Sequence, residues 1–204
     1  MRFGHYEAMT KRPGTIKHLW LLRHGKAVPS GLHGGGDKER PLTGRGRRDA
    51  TAFGHRLAAG TGVFGLHDVP LPDVAICSAA SRTRETADLV LGAMGKEIPL
   101  ESFHSLYGAG PATVLQYIRE LDDSRESALV VGHNPTLYQL AWELLPPAGI
   151  ESDDDDAGIG KGRSTLENHG FPTCALAVLR LEVASWGDVD YERGSLAGVV
   201  SPPY

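Results

Sequence analysis

The stretch Leu19-Trp20-Leu21-Leu22-Arg23-His24-Gly25 decides the fold class: an apolar run stops abruptly at a guanidinium and an imidazole. Far downstream, Leu129-Val130-Val131-Gly132-His133-Asn134 ends in the same way. Short, continuous apolar runs bounded by polar or Gly residues read as strands buried on both faces, the habit of parallel sheets covered by helices. In open α/β sheets ligands bind in the crevice outside the carboxyl ends of the strands. Two strand-end histidines so distant in sequence therefore mark a candidate active site.

Working outward, Asp73-Val74-Ala75-Ile76-Cys77 is another short strand pattern, ended by Ser78. From Ser81 the spacing becomes helical, with Thr83, Thr86-Ala87 and Val90-Leu91 recurring and Gly92 and Gly95 near the end. Thr43 is a suitable N-cap for a helix predicted over 44–59, with Ala50, Phe53 and Leu57 facing inward. A helix over Pro111 to Leu121 begins with a favourable N1 proline. The strand at Ala128 to Val131 leads through Pro135 into a helix over Thr136 to Leu145. A weak strand is expected at Ile98-Pro99-Leu100 and a buried one over Cys174 to Val183, with an edge element or a frayed tail from Gly187 onward. The alternation predicts an α/β protein: a three-layer α/β/α sandwich with a mostly parallel central sheet and helices on both faces.

The 204 residues suit one core. The expected division is an N-terminal extension over 1–15, broken by Pro13-Gly14, and a single domain over 16–204. Within that domain, about 147–170, including Asp153 to Asp156, lacks hydrophobic periodicity and reads as a flexible acidic insert. With 21 Lys+Arg against 25 Asp+Glu, the formal charge of -4 argues against general nucleic-acid binding, so any phosphate affinity must be local. Neither an apolar leader nor a stretch long enough to cross a membrane is present, and a cytoplasmic location is the expectation. Cys77 and Cys174 form no C-x-x-C pattern, so both read as small core residues rather than a disulfide framework or zinc ribbon.

Three turns carry the chemistry. Arg23-His24-Gly25 offers a nucleophile or base, a permanent cation, and a glycine that lets the backbone approach a ligand closely. Ser78 through Ala87 (Ser-Ala-Ala-Ser-Arg-Thr-Arg-Glu-Thr-Ala) places a guanidinium in the first turn of a helix, where amides and dipole already favour an anion. Arg82 and Arg84 lie on different sides of that helix, so at most one faces His24; the other is a surface residue, paired for example with Asp88. Gly132-His133-Asn134-Pro135 repeats the strand-end geometry, although by itself it is equally a helix-entry turn. The three turns in this order outweigh each one taken singly.

These residues resemble the histidine phosphatase superfamily, also called phosphoglycerate-mutase-like. Its R-H-G signature looks like Arg23-His24-Gly25, its S-x-x-x-R turn is similar to Ser78 through Ala87, and its G-H-N motif matches Gly132-His133-Asn134. Arg40-Pro41-Leu42-Thr43, Leu106-Tyr107 and Phe171-Pro172-Thr173 look most like the phosphohistidine phosphatase (SixA-type) branch. The resemblance implies that His24 is the nucleophile and that Arg23, Arg82, His133 and Asn134 hold the phosphoryl group. It also implies a phosphorylated substrate, either a phosphohistidine protein or a small phosphate ester, with no metal and no cofactor. Phosphoryl transfer needs mainly positioning and charge complementarity, which such a set supplies. Two departures stand out: the turn has Ala79 where the family has proline, and no clear acid follows the third strand. Glu101 and His104 are the candidates for that acid, and its absence suits a phosphoramidate better than a phosphate ester.

The alternatives are a phosphomonoesterase or mutase of the same superfamily, and a non-catalytic module that binds a phosphorylated ligand. A cysteine phosphatase would need C-x5-R, yet the position that spacing sets after Cys77 is Thr83. Gly31-Leu32-His33-Gly34-Gly35-Gly36 lacks the Gly-Lys-Ser/Thr ending of a nucleotide-binding loop, since Asp37-Lys38-Glu39 follows. The nine histidines include no H-x-H or H-x-x-x-H pair.

Overall fold

The computed structural model describes residues 15–147 and 162–203. The N-terminal extension up to residue 14, and the part of the acidic insert that holds Asp153 to Asp156, lie outside the described residues. A six-stranded sheet runs in the order β3-β2-β4-β1-β5-β6. Its strands are β1 (Ile16–Arg23), β2 (Val74–Ser78), β3 (Leu100–Phe103), β4 (Ser127–Gly132), β5 (Leu176–Glu182) and β6 (Gly194–Val200). The first four pair in parallel, whereas β5 runs antiparallel to β1 and β6 antiparallel to β5.

Alternation along the strands builds two cores. Leu19 and Leu21 of β1 face one side, packed with α3 (Pro111–Arg119), α4 (Thr136–Leu144) and Leu166 of α5 (Gly162–His169). Trp20 and Leu22 face the other, against α1 (Gly44–Ala58) and α2 (Ser81–Met94). Side chains that alternate across a strand covered on both faces produce the unbroken apolar run read in the sequence. After β1 the chain leaves to α1 on one face, and after its neighbour β4 it leaves to α4 on the opposite face. That divergence opens a crevice at the carboxyl ends of the two strands.

Thr43 caps α1 as expected, its hydroxyl accepting from the Gly46 amide at 3.1 Å, and Ala50, Phe53 and Leu57 are fully buried. Three expectations are corrected. The third strand is Leu100–Phe103 rather than Ile98 to Leu100; Pro99 has no N–H for the ladder, and its carbonyl accepts from Ala75 N at 2.8 Å just before pairing begins. The stretch 162–169, expected to be part of a flexible insert, is the helix α5. A single apolar residue, Leu166, anchors it, and Arg163 Nε donates to the Trp142 and Leu145 carbonyls, so burial never generates a periodic pattern. Gly25, expected to admit a ligand, instead packs against α1: a Cβ there would sit 2.9 Å from the Gly46 carbonyl oxygen. No helix among the described residues is long and apolar enough to cross a membrane.

Candidate active site

The crevice is a cleft of about 690 Å³ whose lining includes Arg23, His24, Arg40, Arg82, Tyr107 and His133. Register brings the two histidines together: Arg23 pairs with Gly132 across β1 and β4, and His24 N donates to the Gly132 carbonyl at 3.0 Å. Their ring centroids lie 5.2 Å apart.

The hydrogen bonds of His24 settle its tautomer. Nδ1 lies 2.7 Å from the Gly25 carbonyl oxygen, which can only accept, so Nδ1 carries the proton. Nε2 lies 3.3 Å from Arg82 Nε, which can only donate, so Nε2 presents its lone pair. Burial, followed by the charges of His133, Arg82 and Arg23, lowers the pKa of His24 to about 3 despite the opposing Gly25 contact. The ring is therefore neutral at working pH. His133 is held similarly low, at about 4, by burial first and then by Arg82. Its Nε2 lies 2.9 Å from Ser78 Oγ at the end of β2.

Arg23 donates from Nη1 to the Phe171 carbonyl at 2.8 Å, and Asn134 Nδ2 donates to the same oxygen at 2.9 Å. Arg23 Nε and Asn134 Oδ1 are buried without a hydrogen-bond partner. Arg82, only 5% exposed in the first turn of α2, reaches the cleft, while Arg84 is exposed on another side of the helix. The loop after His24 is fixed by the Arg40-Pro41-Leu42-Thr43 stretch. Thr43 N donates to the Lys26 carbonyl at 2.8 Å, Arg40 Nη1 donates to the Val28 carbonyl at 2.9 Å, and Leu42 N donates to Glu85 at 2.7 Å.

Glu101 sits on exposed β3 and lines a separate cleft with Phe103, Tyr117 and Glu120. His104 opens the exposed turn after β3, and neither residue lines the cleft that holds His24. Among the described residues, the carboxylate joined to that cleft's lining is Asp37's, hydrogen-bonded to Arg82 and Tyr107. Cys77 is fully buried with its thiol raised to about 11 by burial first and then by Asp88, so no reactive thiolate forms there. Sequence reasoning missed Asp37. Its carboxylate accepts from Tyr107 Oη at 2.7 Å and from Arg82 Nη2 at 3.1 Å, and it pairs with Arg40 at 2.8 Å. The signal available was modest: an acid three residues before Arg40 in a Gly-rich loop.

Residues 19–106 match the family described as the histidine phosphatase superfamily (branch 1). A protein of Mycobacterium tuberculosis, itself uncharacterized, is 35% identical over 182 residues, which span 89% of this chain and 99% of the relative. Among solved structures, a protein assigned as the phosphohistidine phosphatase SixA of Nakamurella multipartitia is 30% identical, with a TM-score of 0.72, covering 95% of this chain and 100% of its own. A protein given the same assignment in Agrobacterium tumefaciens is 26% identical, with a TM-score of 0.64, covering 91% and 99%.

Proposed function

The chain belongs to the histidine phosphatase superfamily and is a phosphatase, and from that premise we propose that it works through a phosphohistidine formed on His24. The observation that carries this reading is the tautomer of His24: a neutral ring in the cleft with its proton tied to the Gly25 carbonyl and its Nε2 lone pair presented to Arg82 Nε. Neutrality matters because a protonated imidazole has no lone pair with which to attack phosphorus.

In the first step the Nε2 lone pair forms a bond to phosphorus as the bond to the leaving group breaks. The Nδ1 proton stays against the Gly25 carbonyl, which stabilises the cationic ring of the intermediate. In the second step a water oxygen bonds to phosphorus, the N–P pair returns to Nε2, and orthophosphate leaves as the water proton passes to solvent. Arg23, whose buried Nε lacks a partner, and Arg82 would hold the equatorial oxygens, with Asn134 donating to the same Phe171 carbonyl that accepts from Arg23. His133 would donate from Nδ1. That requires the Ser78 hydroxyl to donate to its Nε2 at 2.9 Å, a direction compatible with Ser78 Oγ accepting from Ala80 N at 3.4 Å.

The substrate we propose is a phosphohistidine protein. A phosphoramidate nitrogen takes up a proton readily on leaving, whereas an ester oxygen needs an acid at hand, and the Asp37 carboxylate bound to the cleft residues Tyr107 and Arg82 is held ionised, at about 2. The assignment carried by the Nakamurella and Agrobacterium structures supports the same choice. The test is phosphate release in EDTA by wild type and His24→Ala, on a phosphohistidine-bearing protein and on p-nitrophenyl phosphate. Wild type alone should be active and should prefer the phosphoramidate. Equal turnover by the variant would remove His24 from the mechanism, and preference for the ester would transfer the reading to a phosphomonoesterase.

A further inference from the structure

Arg82 is gripped from behind by one residue. Its Nη1 donates to the Asp37 main-chain carbonyl at 2.7 Å and its Nη2 to the Asp37 carboxylate at 3.1 Å, so Asp37 occupies the end-on edge of the guanidinium. A guanidinium is planar with donors in a fixed fork, and capturing one edge dictates where the other points. Here the free side edge, carrying Nε, is directed at His24 Nε2. Asp37 itself does not line the cleft.

We infer that Asp37 is a positioning residue: through its carbonyl and carboxylate it orients Arg82 so that the Nε edge meets the phosphoryl group as it arrives at His24. The inference rests on the reading of His24 as nucleophile, and it adds a residue that acts only through Arg82.

The grip is itself braced. Tyr107 Oη donates to the same carboxylate oxygen at 2.7 Å, Arg40 holds the other oxygen at 2.8 Å, and the Lys38 ammonium lies 4.7 Å from the Tyr107 ring centroid. The Tyr107 hydrogen bond, then Arg82 and Arg40, lower the Asp37 carboxyl to about 2, so the contact is ionised throughout the working range. The carboxylate is 44% exposed, and the grip therefore serves orientation more than stability. Tyr107 also stands edge-on to His133 at 5.7 Å between ring centroids, which ties the loop carrying Asp37 to the His133 side of the cleft.

The test compares wild type with Asp37→Ala and Asp37→Asn on a phosphohistidine protein, p-nitrophenyl phosphate and phenyl phosphate. Asp37→Ala should lower kcat by roughly 10- to 100-fold, the penalty of a small misplacement, with KM within about 3-fold of wild type. Asp37→Asn should recover most of the loss, because the amide oxygen still accepts from Nη2 and the main-chain carbonyl is unchanged. The loss should be the same for all three substrates. A loss that grows with the basicity of the leaving group would make Asp37 the proton donor and overturn the inference, as would a rise in KM at unchanged kcat. A second readout needs no turnover: the resonance of the Arg82 Nε–H, which donates to His24 Nε2, should show protection from exchange in wild type and lose that protection in Asp37→Ala. Protection retained in the variant overturns the inference. If wild type hydrolyses nothing, the phosphatase mechanism fails, and the resonance alone still decides the role of Asp37.

Discussion

Ser78 Oγ and His133 Nε2 stand 2.9 Å apart and join the ends of β2 and β4, strands that are neighbours in the sheet. The proposed role of His133 needs the Ser78 hydroxyl to donate to Nε2, which places the single proton of the neutral ring on Nδ1. Ser78→Ala should lower kcat/KM by about 10-fold, the worth of one neutral hydrogen bond of order 1 kcal/mol, with little change in Tm. Steady-state kinetics alongside thermal melts check this. Undiminished activity would show that Ser78 does not set the tautomer.

The acid limb of the rate profile follows from the neutral histidines. With His24 lowered to about 3 and His133 to about 4, kcat/KM should stay level from neutral pH and fall only near those values. An acid limb centred on the ordinary histidine pKa of about 6.5 would contradict the burial argument.

Stability should respond to pH with a definite sign. A histidine that is harder to protonate folded than unfolded contributes its full stability above about pH 6.5 and loses it as pH falls toward the folded value, because the unfolded chain takes up the proton first. For His24 and His133 the window therefore runs from about 6.5 down to about 3. His24→Gln cannot take up that proton, so its Tm should decline less steeply than wild type across this range. Parallel declines would contradict the assignment.

The join between Gly25 and α1 depends on a second glycine. A Cβ at Gly46 would lie 2.3 Å from the Lys26 carbonyl oxygen, so Gly46→Ala must push the loop after His24 away from the helix. A destabilisation of roughly 1–3 kcal/mol is expected, together with reduced turnover. At Gly34 an added Cβ meets nothing within 4 Å, and Gly34→Ala should leave Tm unchanged. Urea unfolding of the two variants provides the comparison.

The elements easiest to read were those with their whole face in one core. Trp20 and Leu22, with Leu19 and Leu21 opposite, make β1 legible as a run without interruption, and Phe53 and Leu57 do the same for α1 as a helical stripe. α5 is hidden because Leu166 is its one buried large apolar residue and much of its support is polar, including Arg163 hydrogen-bonded to carbonyls far along the chain. The expected place of β3 differs because Ile98 and Pro99 are apolar but precede the ladder, which begins at Leu100 and follows available N–H groups rather than hydrophobicity.

By itself the sequence determined the two covered faces, the strand ends that carry Arg23, His24 and His133, and the helix start that carries Arg82, because local periodicity and turn chemistry act over a few residues. The tertiary structure alone decided which nitrogen of His24 presents its lone pair, which face of Arg82 meets it, and that Asp37 stands behind that face while Glu101 lines another cleft. Those outcomes depend on hydrogen bonds between strand and loop ends that only sheet register brings within reach, and register is a property of the assembled sheet rather than of any one segment.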